Sequence, residues 1–504
     1  MDANKESIEK LIQIAAVKSQ ELYASILDDV STSDLCDSNT PVLLRDVLEL
    51  RMGIKFILVD LQTTLRACFS TEKAYEKRYH LKNLYAGMLE GYKLLYGFGR
   101  MRKHTIWARI GKDLLAETQK NGNKPNAFEA LNAQYNRITQ QLLTFESNLA
   151  DNDDRNLTYH YDDDLLLVYR LTLKTDSEEK ASLKYIDYMG VLGAMQDLGN
   201  QIEDVEALAG KALPIGEGHF DEIALVFAQK VAGYFGKHQK LPTVLSEAVD
   251  EGAKRLDSFA EYKKGVVNIE EYISKTYSAT IEIPEFGVMK DLLDVQMLVS
   301  FMMADMATIL RSYIGAGSIV EYPLFIRRLT ISRVSSLAHL IGYKKDDSDS
   351  MWSSIMAAIP PESQSLHDEA VVIKQKMKGM RKPGDSDTRA LYVHLIDNHK
   401  YHSNIPTIVK NLAGITILSE IRASQEMVLL CGRISRFLVR LMGVLSESAR
   451  KARIESNKRL KHQLDIIRTL TSHPNCPPVF RDSMRQQMDE LERLFEIDKK
   501  DLPK

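Results

Sequence analysis

The chain has 504 residues, more than a single hydrophobic core ordinarily supports, so two or three units of about 150 to 200 residues are expected. Its 66 Lys+Arg against 69 Asp+Glu leave a formal net charge of −3, which excludes a wholesale polycation; any nucleic-acid contact must be a local patch. Four cysteines with no C-x-x-C pair are too few for a disulfide framework and point to a reducing compartment. The start MDANKESIEKLIQ carries charges where a secretion signal needs an apolar core, and no run approaches about 18 uninterrupted apolar residues. The expectation is a cytoplasmic protein without membrane contact.

In chain order, apolar residues recur at helical spacing almost everywhere, and strand-like alternation is nearly absent. A helical lead covers 1–40, and a first helical bundle covers 41–212. LPIGEGH opens a helical bridge over 213–283, IPEFG opens a second bundle over 284–445, and a charged helical tail covers 446–504. In FILVDLQTTLRACF (56–69), Phe56, Val59, Asp60 and Thr63 share one helical face, while Leu58, Leu61 and Leu65 share another. LVYRLTLK (167–174) has the composition of a strand, but its helical surroundings assign it to a helix. The fold class predicted is all-α.

The sequence also matches itself. Displaced by 245 positions, residues 43–110 align with 288–355 without a gap and with fourteen identities in 68 positions, where roughly four are expected by composition. The pairs include Phe56 with Phe301, Asp60 with Asp305, Leu65-Arg66 with Leu310-Arg311, Glu76 with Glu321, Gly97 with Gly342, and the chain's two tryptophans, Trp107 and Trp352. Shared periodicity explains leucine on leucine but not tryptophan on tryptophan. The match resumes at a displacement of 234, where DRNLTYH (154–160) falls on TRALYVH (388–394). Arg155 lies on Arg389 and His160 on His394, so both copies carry R-x-x-x-x-H at the same address. Arg468 with His473 has that spacing too, and Arg333 with His339 is one residue wider, but neither has a counterpart, so both read as coincidence.

A helical bundle with R-x-x-x-x-H near the start of a late helix, and Asn directly after the Arg, resembles the HEPN superfamily (higher eukaryote and prokaryote nucleotide-binding domains). RNLTYH carries the resemblance strongly and RALYVH less so; lead, bridge and tail lie outside it. The resemblance implies domains that dimerise with facing motifs, many of them metal-independent ribonucleases, so a tandem copy would form an internal pseudo-dimer.

On a helix, Asn156 and His160 lie one above the other with Arg155 beside them. Histidine can act as base or acid near neutral pH, and arginine stays charged and matches phosphate geometry. Facing copies would therefore supply His160 and His394 as acid and base, with Arg155 and Arg389 stabilising charge on a phosphorane. The product expected is a 2′,3′-cyclic phosphate with a 5′-hydroxyl. Ala390 replaces Asn156 in the second copy, which predicts an asymmetric site. A tyrosine modified in some relatives, two residues beyond the histidine, is Asp162 here.

The expected function is a metal-independent endoribonuclease, with RNA as partner, no cofactor and no metal. The resemblance adds a toxin or antiviral setting, an antitoxin or regulatory protein as a further partner, and room for homo-oligomers. The alternative is a non-catalytic helical module that binds RNA, a nucleotide or a protein through the same cleft. Lys374, Lys376, Lys378, Arg381 and Lys382, just before Arg389, form a candidate RNA footprint; 99–112 and 448–462 are weaker ones. Glu72, Glu76 and His80 have helical spacing, but Phe325 opposite His80 breaks the repeat, which favours a surface salt-bridge face over a metal site. Asp60 and Arg66, repeated as Asp305 and Arg311, read as structural or interface ion pairs, and the tryptophans as core.

Overall fold

The computed structural model describes residues 2–120, 127–148, 165–173, 178–218, 233–277, 284–342, 350–395 and 403–472, excepting 317, 319, 394, 415 and 416. Among the described residues there is no strand, and the helices follow the sequence periodicity. They are α1 (Asp2–Leu35), α2 (Val42–Phe69), α3 (Ala74–Leu95), α4 (Ile106–Lys120), α5 (Ala127–Asn148), α6 (Leu165–Leu173) and α7 (Glu178–Leu208). There follow α8 (Leu241–Tyr277), α9 (Pro284–Ile314), α10 (Glu321–Ile341), α11 (Met351–Ala358), α12 (Gln364–Gly379), α13 (Asp385–Val393), α14 (Ile405–Gly414) and α15 (Ile417–Ser472). A short 3-10 turn covers Gly99–His104. The strand-like run 167–174 is helical in α6 over its described part.

Contacts divide the chain into two compact units: Met1–Ala357 with Val371–Ser435, and Ala358–Ala370 with Arg436–Lys504. In the larger unit α2 and α9 are the central helices. Both are buried around most of their circumference, as expected of core helices rather than amphipathic surface ones. α2 packs on α1, α3, α4 and α7, while α9 packs on α8 and α10. The two systems meet where α10 touches α2 and α9 touches α3. In the smaller unit Arg440 pairs with Glu369, and Leu366, Phe437, Leu441 and Leu464 are buried.

One helix departs from the expectation that nothing is apolar enough to span a membrane. Gly287–Ile314 passes that test by length and composition, yet 94% of its most apolar window is buried inside the protein. High mean apolarity here marks a helix whose central part is enclosed by protein.

Residues paired by the 245-position displacement occupy like environments. Trp107 and Trp352 are both fully buried, and Phe56 and Phe301, Met52 and Met297, and Ile110 and Ile355 all belong to the core. Gly97 and Gly342 end α3 and α10 with φ of 75° and 83°, a left-handed backbone that glycine adopts without a Cβ penalty. α4 and α11 start at Ile106 and Met351, again 245 residues apart.

Candidate functional site

Arg155, Asn156, His160 and His394 lie outside the described residues. Arg389 is described, and its surroundings explain how the second motif is held. In KPGDSDTRALYV, Gly384 has φ 79° and turns the chain into α13. Asp385, the first residue of α13, accepts the Lys382 backbone N–H at 2.8 Å and sits where a carboxylate complements the helix dipole.

The same carboxylate is gripped from α10 by Arg333, whose Nη1 and Nη2 reach its two oxygens at 2.8 Å each. Arg333 is only 1% exposed, and its Nε donates to Glu420 at 2.7 Å while Nη1 also donates to the Met380 carbonyl at 3.0 Å. With a further Nη2 bond to Glu420 at 3.3 Å, all five guanidinium donors have acceptors. Lys382 closes the cluster on Glu420 at 2.8 Å, so two cations face two carboxylates. Burial alone would raise the Asp385 pKa, but the Arg333 hydrogen bonds bring it below the ordinary carboxylate value. Four residues along α13, Arg389 donates from Nε to the Ser335 hydroxyl at 2.6 Å, and Ser335 is two residues from Arg333 on α10. α10 therefore fixes both the start of α13 and the motif arginine.

The expected basic footprint splits. Lys376 and Lys378 are exposed on α12, while Lys374, Arg381 and Lys382 are half-buried. Arg381 caps α10 by donating to the Gly342 carbonyl, and Lys382 belongs to the Glu420 cluster. In the 99–112 stretch, Arg102 pairs with Glu146 and stands 5.0 Å from the Tyr96 ring centre, and Arg109 pairs with Asp46 and Glu49.

Where α2 and α3 meet α9 and α10, the ion pairs are reciprocal. Arg66 pairs with Glu321, and Arg311 pairs with Glu76 at 3.1 Å, with each residue replaced by its partner at the 245-position displacement. Asp60 pairs with Arg327, while Asp305 acts electrostatically on Lys82, the counterpart of Arg327, and accepts the Tyr75 hydroxyl at 2.7 Å. In this exchange i meets j, and the residue 245 positions from j meets the residue 245 positions from i. This seam corrects the reading of Glu76 and His80 as a surface face: they are 3% and 1% exposed. Polar residues at helical spacing point outward in an isolated helix, but here they meet charges from a second helix pair. Among the described residues no group of three or more His, Cys, Asp or Glu could hold a metal ion.

Elsewhere, a cavity of about 580 Å³ lies against α1, α2 and α7 and is lined by Asp28, Asp29, Glu203, Asp204 and Glu217 with Arg51. Burial raises the Glu203 pKa. Its sign is wrong for a polyanion.

Sequence reasoning passed over Arg333, Asp385 and Glu420, and read Arg333 as a chance partner of His339. The available signal was a basic residue amid LTISRVSSLAHL, which a buried helix tolerates only with matched acids. No known family profile, curated protein or solved structure matches the chain.

Proposed function

We propose that the chain is a metal-independent endoribonuclease of HEPN type, whose site is shared between two related halves, 41–212 and 284–445, of one polypeptide. The observation that carries this reading is the reciprocal exchange of Arg66–Glu321 and Glu76–Arg311 across the seam. A self-complementary contact between duplicated segments is what an internal pseudo-dimer requires, and such a dimer would bring the two R-x-x-x-x-H motifs to one cleft. The firm seating of Arg389 by α10 supports it further, because a phosphate-stabilising guanidinium must be preorganised.

In this reading His160 and His394 exchange protons with the 2′-hydroxyl and the leaving 5′-oxygen, Arg155 and Arg389 neutralise the phosphorane, and Asn156 orients the first copy. RNA is the substrate, a toxin or antiviral role in the cytoplasm is the setting, and an antitoxin-like protein is the natural partner. The test is cleavage of RNA in the presence of EDTA. His160→Ala abolishes formation of the 2′,3′-cyclic phosphate while the fold persists; undiminished cleavage by that variant refutes the assignment.

A second reading is favoured by Ala390 in place of Asn and by the engagement of Arg381 and Lys382 in contacts within the chain. It makes the chain a non-catalytic module that binds RNA, nucleotide or protein. RNA retained without cleavage by the wild-type protein decides for it.

A further inference from the structure

The reciprocal seam breaks its own symmetry at two places. Arg328 stands where the displacement places Asn83, and His80 stands where it places Phe325. Every acid of the seam has a cationic neighbour: Asp60 has Arg327, Glu321 has Arg66, Glu76 has Arg311 and Asp305 has Lys82. Arg328 is the fifth cation, and no acid answers it. Its Nη2 donates to the Thr64 hydroxyl, its Nη1 has no partner, and the residue is 9% exposed.

His80 is alike in this respect. It is 1% exposed, its Nε2 lies 3.1 Å from the Ser312 hydroxyl, and its Nδ1 has no partner. Arg328 holds Thr64, two residues before Arg66, and His80 meets Ser312, next to Arg311, so both symmetry-breaking residues attach to the helices that carry the Arg66–Glu321 and Glu76–Arg311 pairs, and the charges of Arg328 and Arg66 act on the His80 ring. Other buried atoms of the seam without hydrogen-bond partners include the donors Arg327 Nε and Nη1 and Arg311 Nη1, and one acceptor, Glu76 Oε1, which has Arg311 Nε at 3.1 Å as its ion-pair partner. The unpartnered guanidinium N–H groups outnumber the one unpartnered carboxylate oxygen, and that oxygen already faces Arg311, so Arg328 is left without a negatively charged acceptor. Water can satisfy an N–H group but not the charge, and a buried charge left unpaired is strongly destabilising.

We propose that this end of the seam binds one oxyanion of the phosphate class, held by Arg328 Nη1 and by His80 Nδ1–H. The source is free phosphate or the phosphate group of a nucleotide. Rotation of the flexible Arg328 side chain away from Thr64 admits it, and the planar guanidinium then meets two oxygens of one ligand. The proposal does not depend on the ribonuclease reading.

The test is calorimetric titration and thermal unfolding of the full-length chain with inorganic phosphate, and in parallel with AMP, at an ionic strength fixed by sodium chloride. Saturable binding at one per chain and a raised Tm are expected. Tighter binding of AMP identifies the nucleotide as the source, and binding of phosphate alone identifies the free ion. Arg328→Asn weakens binding about tenfold or more, as loss of one member of a buried charge pair does. It leaves the ligand-free Tm unchanged or higher, because the unmatched charge is gone. Arg328→Lys retains part of the affinity, and His80→Phe loses affinity. A wild-type chain that binds neither ligand, or Arg328→Asn binding as tightly as wild type, overturns the proposal. So does loss of phosphate binding in His160→Ala, which assigns the anion to the first R-x-x-x-x-H motif instead.

Discussion

Removing Arg66 tests the seam most directly. Its guanidinium and the Glu321 carboxylate are 7% and 1% exposed, so Arg66→Leu removes the guanidinium that faces a fully enclosed carboxylate. Breaking a buried pair from one side costs about 3–5 kcal/mol, whereas replacing both members by apolar residues of similar volume is often close to neutral. Glu321→Leu should therefore cost about as much as Arg66→Leu, and the double variant should lose less than either single. Arg311→Leu on the reciprocal pair should cost less, about 1–3 kcal/mol, because Arg311 is 29% exposed and water already screens it. Urea unfolding, followed by tryptophan fluorescence, gives each value; Trp107 and Trp352 supply one fully buried reporter in each segment. Single-variant losses below about 1 kcal/mol, or a double variant equal to the sum of its singles, would refute the reasoning.

Three further predictions follow from the same structure. Arg333→Met, matching the residue that Met88 places at the equivalent position, should cost about 3–5 kcal/mol and raise amide exchange across 385–393; unchanged protection there would show that Arg333 does not hold α13. Gly97→Ala combines a left-handed φ of 75° with a Cβ 2.7 Å from the Thr105 methyl, so a loss of about 2–4 kcal/mol is expected in thermal unfolding, against no loss if the turn relaxes freely. Burial, then the charges of Arg328 and Arg66, holds the His80 pKa well below its ordinary value, so the folded chain keeps it neutral while the unfolded chain takes up a proton near pH 6.5. In phosphate-free buffer, stability should fall as pH drops through that value, by up to about 1.4 kcal/mol per pH unit, and His80→Phe should flatten this slope.

Much of the helical order was legible because one residue type after another obeyed the 3.6 period, and even the strand-like LVYRLTLK is helical over its described residues, 167–173, in a helix packed on α3, α8 and α9. The fate of polar residues was not. The face of Phe56, Val59, Asp60 and Thr63 is buried along its length, and Asp60 is enclosed because Arg327 arrives from a helix more than 250 residues away. Periodicity along one helix carries no information about a charge contributed by another. Arg333 was misread for the same reason: its partners, Asp385 and Glu420, lie 52 and 87 residues onward. For the candidate site, the sequence offered residue types and matching addresses for the motifs, and the structure adds how Arg389 is seated.

The left-handed glycines, reciprocal ion pairs and twin tryptophans all lie on one continuous chain, and this has a genetic consequence. In a homodimer every substitution strikes the contact twice, so a new buried charge appears as a pair and repels itself across the axis. Here each side of the seam is encoded separately, and a single codon change alters one side only. Arg328 opposite Asn83 and His80 opposite Phe325 are differences that two identical subunits could not hold.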